Sequence, residues 1–201
     1  MGTDIFGWVE CKWEWQEDGE PWNAAINVGL LVDRSYDAFG CLFGVRNYAG
    51  FRPIAADRGV PADASAEFKA SVTRFPKEVR SSSWITWPEI KAIDWEEDAE
   101  EPDERLHTYV RNEQGELVLK GKSLTVFGLK GSMKPTPQAL AAAATPEDVR
   151  EWEDEEGKII RAEVLKRKDV FAWGKHLFQV MDSLAERFGE ERVRLVVWFD
   201  W

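Results

Sequence analysis

Arg46, Arg52 and Arg58 fall within residues 35–59, where Gly44, Gly50 and the Arg52-Pro53 step end regular structure, because glycine supplies backbone freedom and proline removes a donor. An arginine on a loop beside a packed element suits a carboxylate or a phosphate, since its planar fork makes paired hydrogen bonds. The same residues also read as internal counter-charges in a very acidic chain. Carboxylates stand near both ends: Asp4 and Glu10 at the start, Asp200 at the finish. If the terminal strands are neighbours, Asp4, Glu10, Asp200, Arg46 and Arg58 meet at one sheet edge, with Asn47 and Trp84 as further ligand-binding candidates. Such a cluster either binds a polar ligand or a divalent cation, or forms a charge network that fixes the fold.

Other chemistries lack their spacing. His107 and His176 are far apart and have no neighbouring ligand pattern, so both read as structural and no metal is assigned. Ser81, Ser82 and Ser83 form a run, but a catalytic serine needs a positioned base and neither histidine can be placed beside it. No P-loop, Gly-x-Gly-x-x-Gly, His-Glu-x-x-His or nucleophile elbow occurs, and no cofactor is expected.

Composition sets the class. With 37 acidic against 26 basic residues the formal charge is -11, which argues against direct nucleic-acid binding, because a binder needs a basic footprint to neutralise phosphates. Eight of those carboxylates lie in residues 94–104 without a compensating base. A block of this kind reads as a solvated loop, and Asp94, Glu96, Glu97, Asp98, Glu100 and Glu101 are candidates for meeting a partner. Eleven tryptophans imply either a tightly packed core or an aromatic binding face. Cys11 and Cys41 have no metal spacing and read as reduced core residues. No segment reaches the ~20 apolar residues of a spanning helix, so a soluble, cytoplasmic protein with no membrane partner is expected.

The positioning elements follow from periodicity. Residues 4–15 alternate as a strand, 17–21 read as a turn, and 22–32 as the returning strand. Tyr36, Phe39 and Phe43 recur at i, i+3 and i+7, marking a short helix with one apolar face after capping side chains at 33–35. A second short helix is expected within 65–79, and Thr86-Trp87-Pro88-Glu89 has the capping-box pattern of a third. Residues 106–110 and 117–119 flank a turn as a hairpin, with 123–129 as a further strand. Residues 131–145 read as a linker or frayed helix, and Thr145-Pro146-Glu147-Asp148 as the start of an acidic surface helix through Glu156. Residues 169–188 carry the clearest helical pattern, stopped by Gly189. Residues 193–200 are apolar on both faces, which implies a central strand next to the first.

At these same residues the chain resembles a known group. The opening Met1-Gly2-Thr3-Asp4-Ile5-Phe6, Val9-Glu10, the run Arg34 to Phe39 with Val45-Arg46-Asn47, Asp57-Arg58-Gly59-Val60-Pro61, Ser83-Trp84-Ile85-Thr86 and the ending Val193-Arg194 to Phe199-Asp200 are similar to a family of uncharacterised bacteriophage and bacterial proteins. Its members typically open Met-Gly-Cys-Asp-Ile-His and end near Trp-Phe-Asp-Asn. Residues 94–191 carry none of the likeness. Phe6 stands where the family has histidine, Arg80-Ser81-Ser82-Ser83-Trp84 where it has His-Ser-His-Ser-Trp, and Trp201 replaces the final asparagine. Any metal or proton chemistry of those histidines is therefore not carried here, which shifts the expectation from enzyme to binding.

The expectation is an α+β protein: one domain over 1–201, with an acidic, partly flexible insertion at about 94–168. A mostly antiparallel sheet contains both terminal strands and packs against the 169–188 helix and shorter helices. In function it reads as a non-enzymatic, protein-binding chain of phage type, a modulator of host defence or an acidic nucleic-acid mimic. The alternative is an enzyme or binder acting on a nucleotide or other phosphorylated ligand through the Asp/Glu/Arg cluster. The oligomeric state is left open.

Overall fold

The computed structural model describes residues 2–124, 126–129, 131–133, 150–154 and 156–201. The chain divides into two compact units. The terminal unit comprises residues 1–47, 53–95 and 168–201; the second comprises 48–52 and 96–167. The fold is α+β with antiparallel sheets, and both terminal strands share one sheet, as the end sequences imply.

In the terminal unit, β1 (Ile5–Cys11) lies antiparallel to the C-terminal strand β10 (Val193–Phe199), in a register running from Ile5 opposite Phe199 to Cys11 opposite Val193. The flanking strands are β2 (Asn23–Asn27) beside β1 and β3 (Ser81–Thr86) beside β10. All seven residues of β10 are buried, which is what its apolar pattern on both faces requires. One face carries Val9, Leu195, Val197 and Phe199. It is covered by α1 (Tyr36–Phe43), α3 (Trp87–Lys91) and α4 (Lys168–Phe188) through Phe39, Phe43, Ile90, Leu177, Phe178 and Met181. Each such side chain contributes about 1.5–3 kcal/mol by leaving water. The other face, with Trp8, Val196, Trp198 and Trp84, packs against α2 (Ala66–Arg74) through Phe68 and Val72.

The helices start where capping chemistry places them. The Ser35 hydroxyl accepts from Ala38 N–H, and α1 ends at Gly44 with φ +74°, the left-handed conformation that glycine tolerates best. Thr86 and Glu89 close the capping box at α3: Thr86 N–H donates to Glu89 Oε2 (2.9 Å), and Glu89 N–H to Thr86 Oγ1 (3.4 Å). The returning strand is shorter than residues 22–32. It stops at Asn27, whose side chain accepts from Gly29 N–H and turns the chain into a 3-10 segment at Val28–Leu30.

In the second unit the sheet order is β5-β4-β9-β8, where β4 is Leu106–Arg111, β5 Leu117–Ser123, β8 Arg150–Glu153 and β9 Ile159–Ala162. The further strand expected within 123–129 is β6 (Val126–Leu129), and among the described residues it pairs with β7 (Gly131–Met133) rather than with β4 or β5. Leu106, Ile160 and Ala162 form a small core with Trp152 against them. The helix start at 145–148 lies outside the described residues, as does most of the 131–145 segment. Its expected continuation is overturned, because residues 150–153 form a strand. Trp152 lies opposite Ile160, and Glu151 and Glu153 alternate with it; period-2 burial of one tryptophan outweighs helical propensity.

Candidate functional site

The central strands place a buried charge network on the α2 face. Glu10, completely buried, accepts from Ser65 N–H (2.8 Å) and from Arg194 Nε (2.9 Å). Arg194 Nη2 lies 2.8 Å from Glu10 Oε2 without hydrogen-bond alignment, Nη1 donates to Asp63 (2.9 Å), and the guanidinium sits 4.1 Å over the Trp22 ring. Burial pushes the Asp63 carboxyl up, but the Arg194 bonds outweigh it and hold it below the usual range. Glu10 therefore already has a complete set of partners.

The other expected residues sit elsewhere. At the opposite end of β1, six residues and about 20 Å from Glu10 at ~3.3 Å per residue, Asp4 takes a two-pronged contact from Arg34 (2.8 and 2.7 Å) and its N–H donates to Asp200 (2.6 Å). Hydrogen bonding to Arg34 draws the Asp4 carboxyl down. Arg46, at φ +52°, donates to Thr3 Oγ1 (3.0 Å) and lies 5.6 Å over Trp201. Asn47 packs on α1 at Gly40, where a Cβ would come within 2.6 Å of its Oδ1. Arg58 clamps Glu89 at 2.7 and 3.0 Å, donates to the Trp84 and Ile54 carbonyls, and stacks 4.9 Å over Trp84. Burial raises the Glu89 carboxyl, but the bonds from Arg58 and Thr86 prevail and hold it at about 2. The structure thus joins Asp4, Asp200 and Arg46 at one end and Arg58 with Trp84 at another, and keeps Glu10 apart from both. No single five-residue cluster forms. The Ser83 hydroxyl is buried and bonded to Ala55 O.

Part of the acidic block is answered by base. Within the second unit Glu97 accepts from Arg52 (2.8 Å) and Arg167 (2.9 Å), Glu100 lies 3.8 Å from Arg52, and Lys166 pairs with Asp98 (3.2 Å) and bonds to Glu96 O (3.1 Å). Glu101 is exposed in this unit, and Asp94 is exposed in the terminal unit. The segment is the exposed loop that its composition implies, and the basic partners that the run itself lacks come from residues 52 and 166–167, remote in sequence.

His107 sits between two carboxylates, Nε2 2.8 Å from Asp103 and Nδ1 3.0 Å from Glu163. Arg105 holds Asp103 at 2.7 and 2.8 Å, Lys122 lies 3.8 Å from it, and Tyr109 donates to Glu163. Burial opposes a charged ring, yet the two carboxylates outweigh it and raise the His107 pKa. Burial likewise opposes ionised Asp103 and Glu163, but the His107 bonds prevail; Asp103 falls to about 2 and Glu163 is lowered. The signs fix a window. The histidine contribution is complete below about pH 6.5 and is lost as pH rises through its raised folded value, whereas the carboxylate contributions disappear as pH falls below about 4. In urea denaturation across pH, the destabilisation caused by His107→Gln is expected to be largest near pH 5–6 and to shrink as the pH rises through the raised histidine value. A constant difference over that range would refute the charged-ring assignment.

A concave surface on the terminal unit is lined by aromatic residues. A groove of about 420 Å³ lies on the α2 face of the terminal unit, between β1 and α2. Phe6 stacks on Trp198 at 4.2 Å, Trp8 and Phe75 extend the aromatic wall, and Glu67, Ala70, Ser71 and Arg74 of α2 form the opposite side. Trp198 Nε1 donates to Ser71 Oγ (3.1 Å), which fixes the ring. Phe6 and Phe75 are each 39% exposed.

Sequence reasoning missed Arg194, Asp63, Ser65 and these groove residues. Arg194 had a signal: it is the one charged residue inside a strand that is otherwise apolar, and pairing of the terminal strands puts it opposite Glu10. The groove had none, because Phe6 and Trp198 lie about 60 and more than 120 residues from α2 in the chain. Among the described residues no His, Cys, Asp and Glu group is arranged to hold a metal, and no helix is long and apolar enough to cross a membrane. No protein-family model, curated protein or solved structure matches the chain.

Proposed function

We propose that this chain is a non-catalytic binding protein that recognises a partner protein through the aromatic groove of its terminal unit. The observation that carries this reading is the groove itself: a preformed concavity with a stacked Phe6–Trp198 wall and two 39%-exposed phenylalanines, the side-chain chemistry that interface hot spots favour. The charged residues support it from the other side. Of the carboxylates a nucleotide-directed enzyme would use, Glu10 and Asp4 are each engaged by an arginine of the chain itself, and Asp200 accepts from Asp4 N–H. Nucleic-acid mimicry by residues 94–104 is less favoured, since Glu97 and Asp98 already have basic partners. The resemblance of the two ends to bacteriophage proteins supports a host protein as the partner.

The test is affinity capture from bacterial lysate, followed by calorimetry with the purified partner and with the variants Phe6→Ser, Phe75→Ser and Glu100→Gln/Glu101→Gln. Both groove variants are expected to weaken binding by tenfold or more while the protein stays folded at the assay temperature, as for a hot-spot residue, and the carboxylate variant to have little effect. The reverse order of effects would overturn the groove reading in favour of the acidic block.

A further inference from the structure

The groove carries two charges, both from α2. Glu67 lies in the first turn and Arg74 is the last helical residue; with Ala70 and Ser71 they form one i, i+3, i+4, i+7 face. Seven positions at 1.5 Å per residue set the two charges about 10 Å apart along the helix. The short side chains of Ala70 and Ser71 keep the space between them open towards the Phe6–Trp198 wall.

Among the described residues neither Glu67 nor Arg74 makes an ion pair; Arg74 only lies over the Phe75 ring at 5.2 Å. Arg34, Arg58, Arg105 and Arg194, by contrast, each hold a carboxylate at 2.7–2.8 Å. Two opposite charges left unanswered at the two ends of an aromatic groove define the complement that would fill it.

We propose, resting on the groove reading above, that the partner's docking segment is an extended peptide of the pattern basic-x-aromatic-x-acidic, in either chain direction. In an extended chain, side chains at i, i+2 and i+4 share one face and span about 13 Å, which the reach of the Arg74 side chain matches. The aromatic residue lies against Phe6 and Trp198, the basic residue meets Glu67, and the acidic residue meets Arg74. The paired charges set register and selectivity, and the aromatic contact supplies most of the affinity.

The experiment uses fluorescein-labelled peptides Gly-Lys-Gly-Phe-Gly-Asp-Gly, the same peptide with both charges Lys, and the same with both Asp, titrated by anisotropy into the intact protein and into Arg74→Glu and Glu67→Lys. Both substituted residues are exposed, so folding is expected to be unaffected. Wild type is expected to bind the mixed-charge peptide about threefold more tightly than either like-charge peptide, the scale of an exposed ion pair. Arg74→Glu is expected to prefer the double-Lys peptide, and Glu67→Lys the double-Asp peptide.

Binding that Phe75→Ser abolishes but that ignores peptide charge would overturn this inference and leave the groove reading intact. No binding of any peptide, alongside a captured partner that the groove variants lose, would do the same. Peptide binding insensitive to Phe6→Ser and Phe75→Ser would remove both. Displacement of the peptide by adenosine monophosphate at lower concentration than by unlabelled peptide would replace the peptide with a nucleotide.

Discussion

Replacing Arg194 by methionine is expected to cost about 3–5 kcal/mol of stability, because it leaves a buried, ionised carboxylate without its counter-charge. Glu10 has no exposed surface, and its remaining bond is the one from Ser65 N–H at 2.8 Å. The same change strips Asp63 of its 2.9 Å partner and uncovers the Trp22 face. Urea denaturation at pH 7 measures the loss. The double variant Glu10→Gln/Arg194→Met is expected to recover a large part of it, since a neutral amide is far less costly to bury than an unpaired charge. A single-variant loss below about 1 kcal/mol, or no recovery in the double variant, would mean that the network is solvated and not the fixed element described above.

Gly7→Ala is expected to cost about 3 kcal/mol or more. A Cβ on Gly7 would lie 2.0 Å from the Val196 carbonyl oxygen and 2.9 Å from Val197 Cα, and both belong to the backbone of a fully buried strand. Those atoms cannot rotate aside as a side chain would, and φ at +152° is one that L residues rarely adopt. Gly19→Ala separates the two causes: its φ is +87° but nothing lies within 4 Å of the added carbon. About 1 kcal/mol is expected there. Equal losses at both positions, read by thermal denaturation, would show that backbone conformation alone is responsible and that the strands separate to admit the methyl group.

These two sites differ in how they show in the sequence. Residues 5–11 and 193–199 alternate or run apolar strongly enough to be recognised as strands, and their pairing follows from both being rich in buried residues. Ser35, Thr86 and Glu89 likewise announce their helices, because capping acts within three residues. Trp152 does not: two acidic neighbours and an upstream Thr-Pro-Glu-Asp suggest a helix, while its partner Ile160 lies beyond a turn. The polar partnerships are less legible still. Arg194 and Glu10 are 184 positions apart, and Arg167 reaches Glu97 across 70.

The sequence by itself determined the class of fold, the two terminal strands, the caps and the long C-terminal helix, since each depends on periodicity or on contacts a few residues apart; the doubly apolar pattern of the last strand also implied its central place beside the first. Only the tertiary structure decided which charge meets which. It separated Glu10 from Asp4 along β1, distributed Arg52, Arg58 and Arg194 to different carboxylates, and gave the acidic block its basic partners. It also brought Phe6 against Trp198 and set α2 opposite them, leaving Glu67 and Arg74 on an open groove. The reason is range: a hydrogen bond or ring contact is made over a few ångströms in space, and nothing in composition or spacing records which residues the chain will carry to that distance.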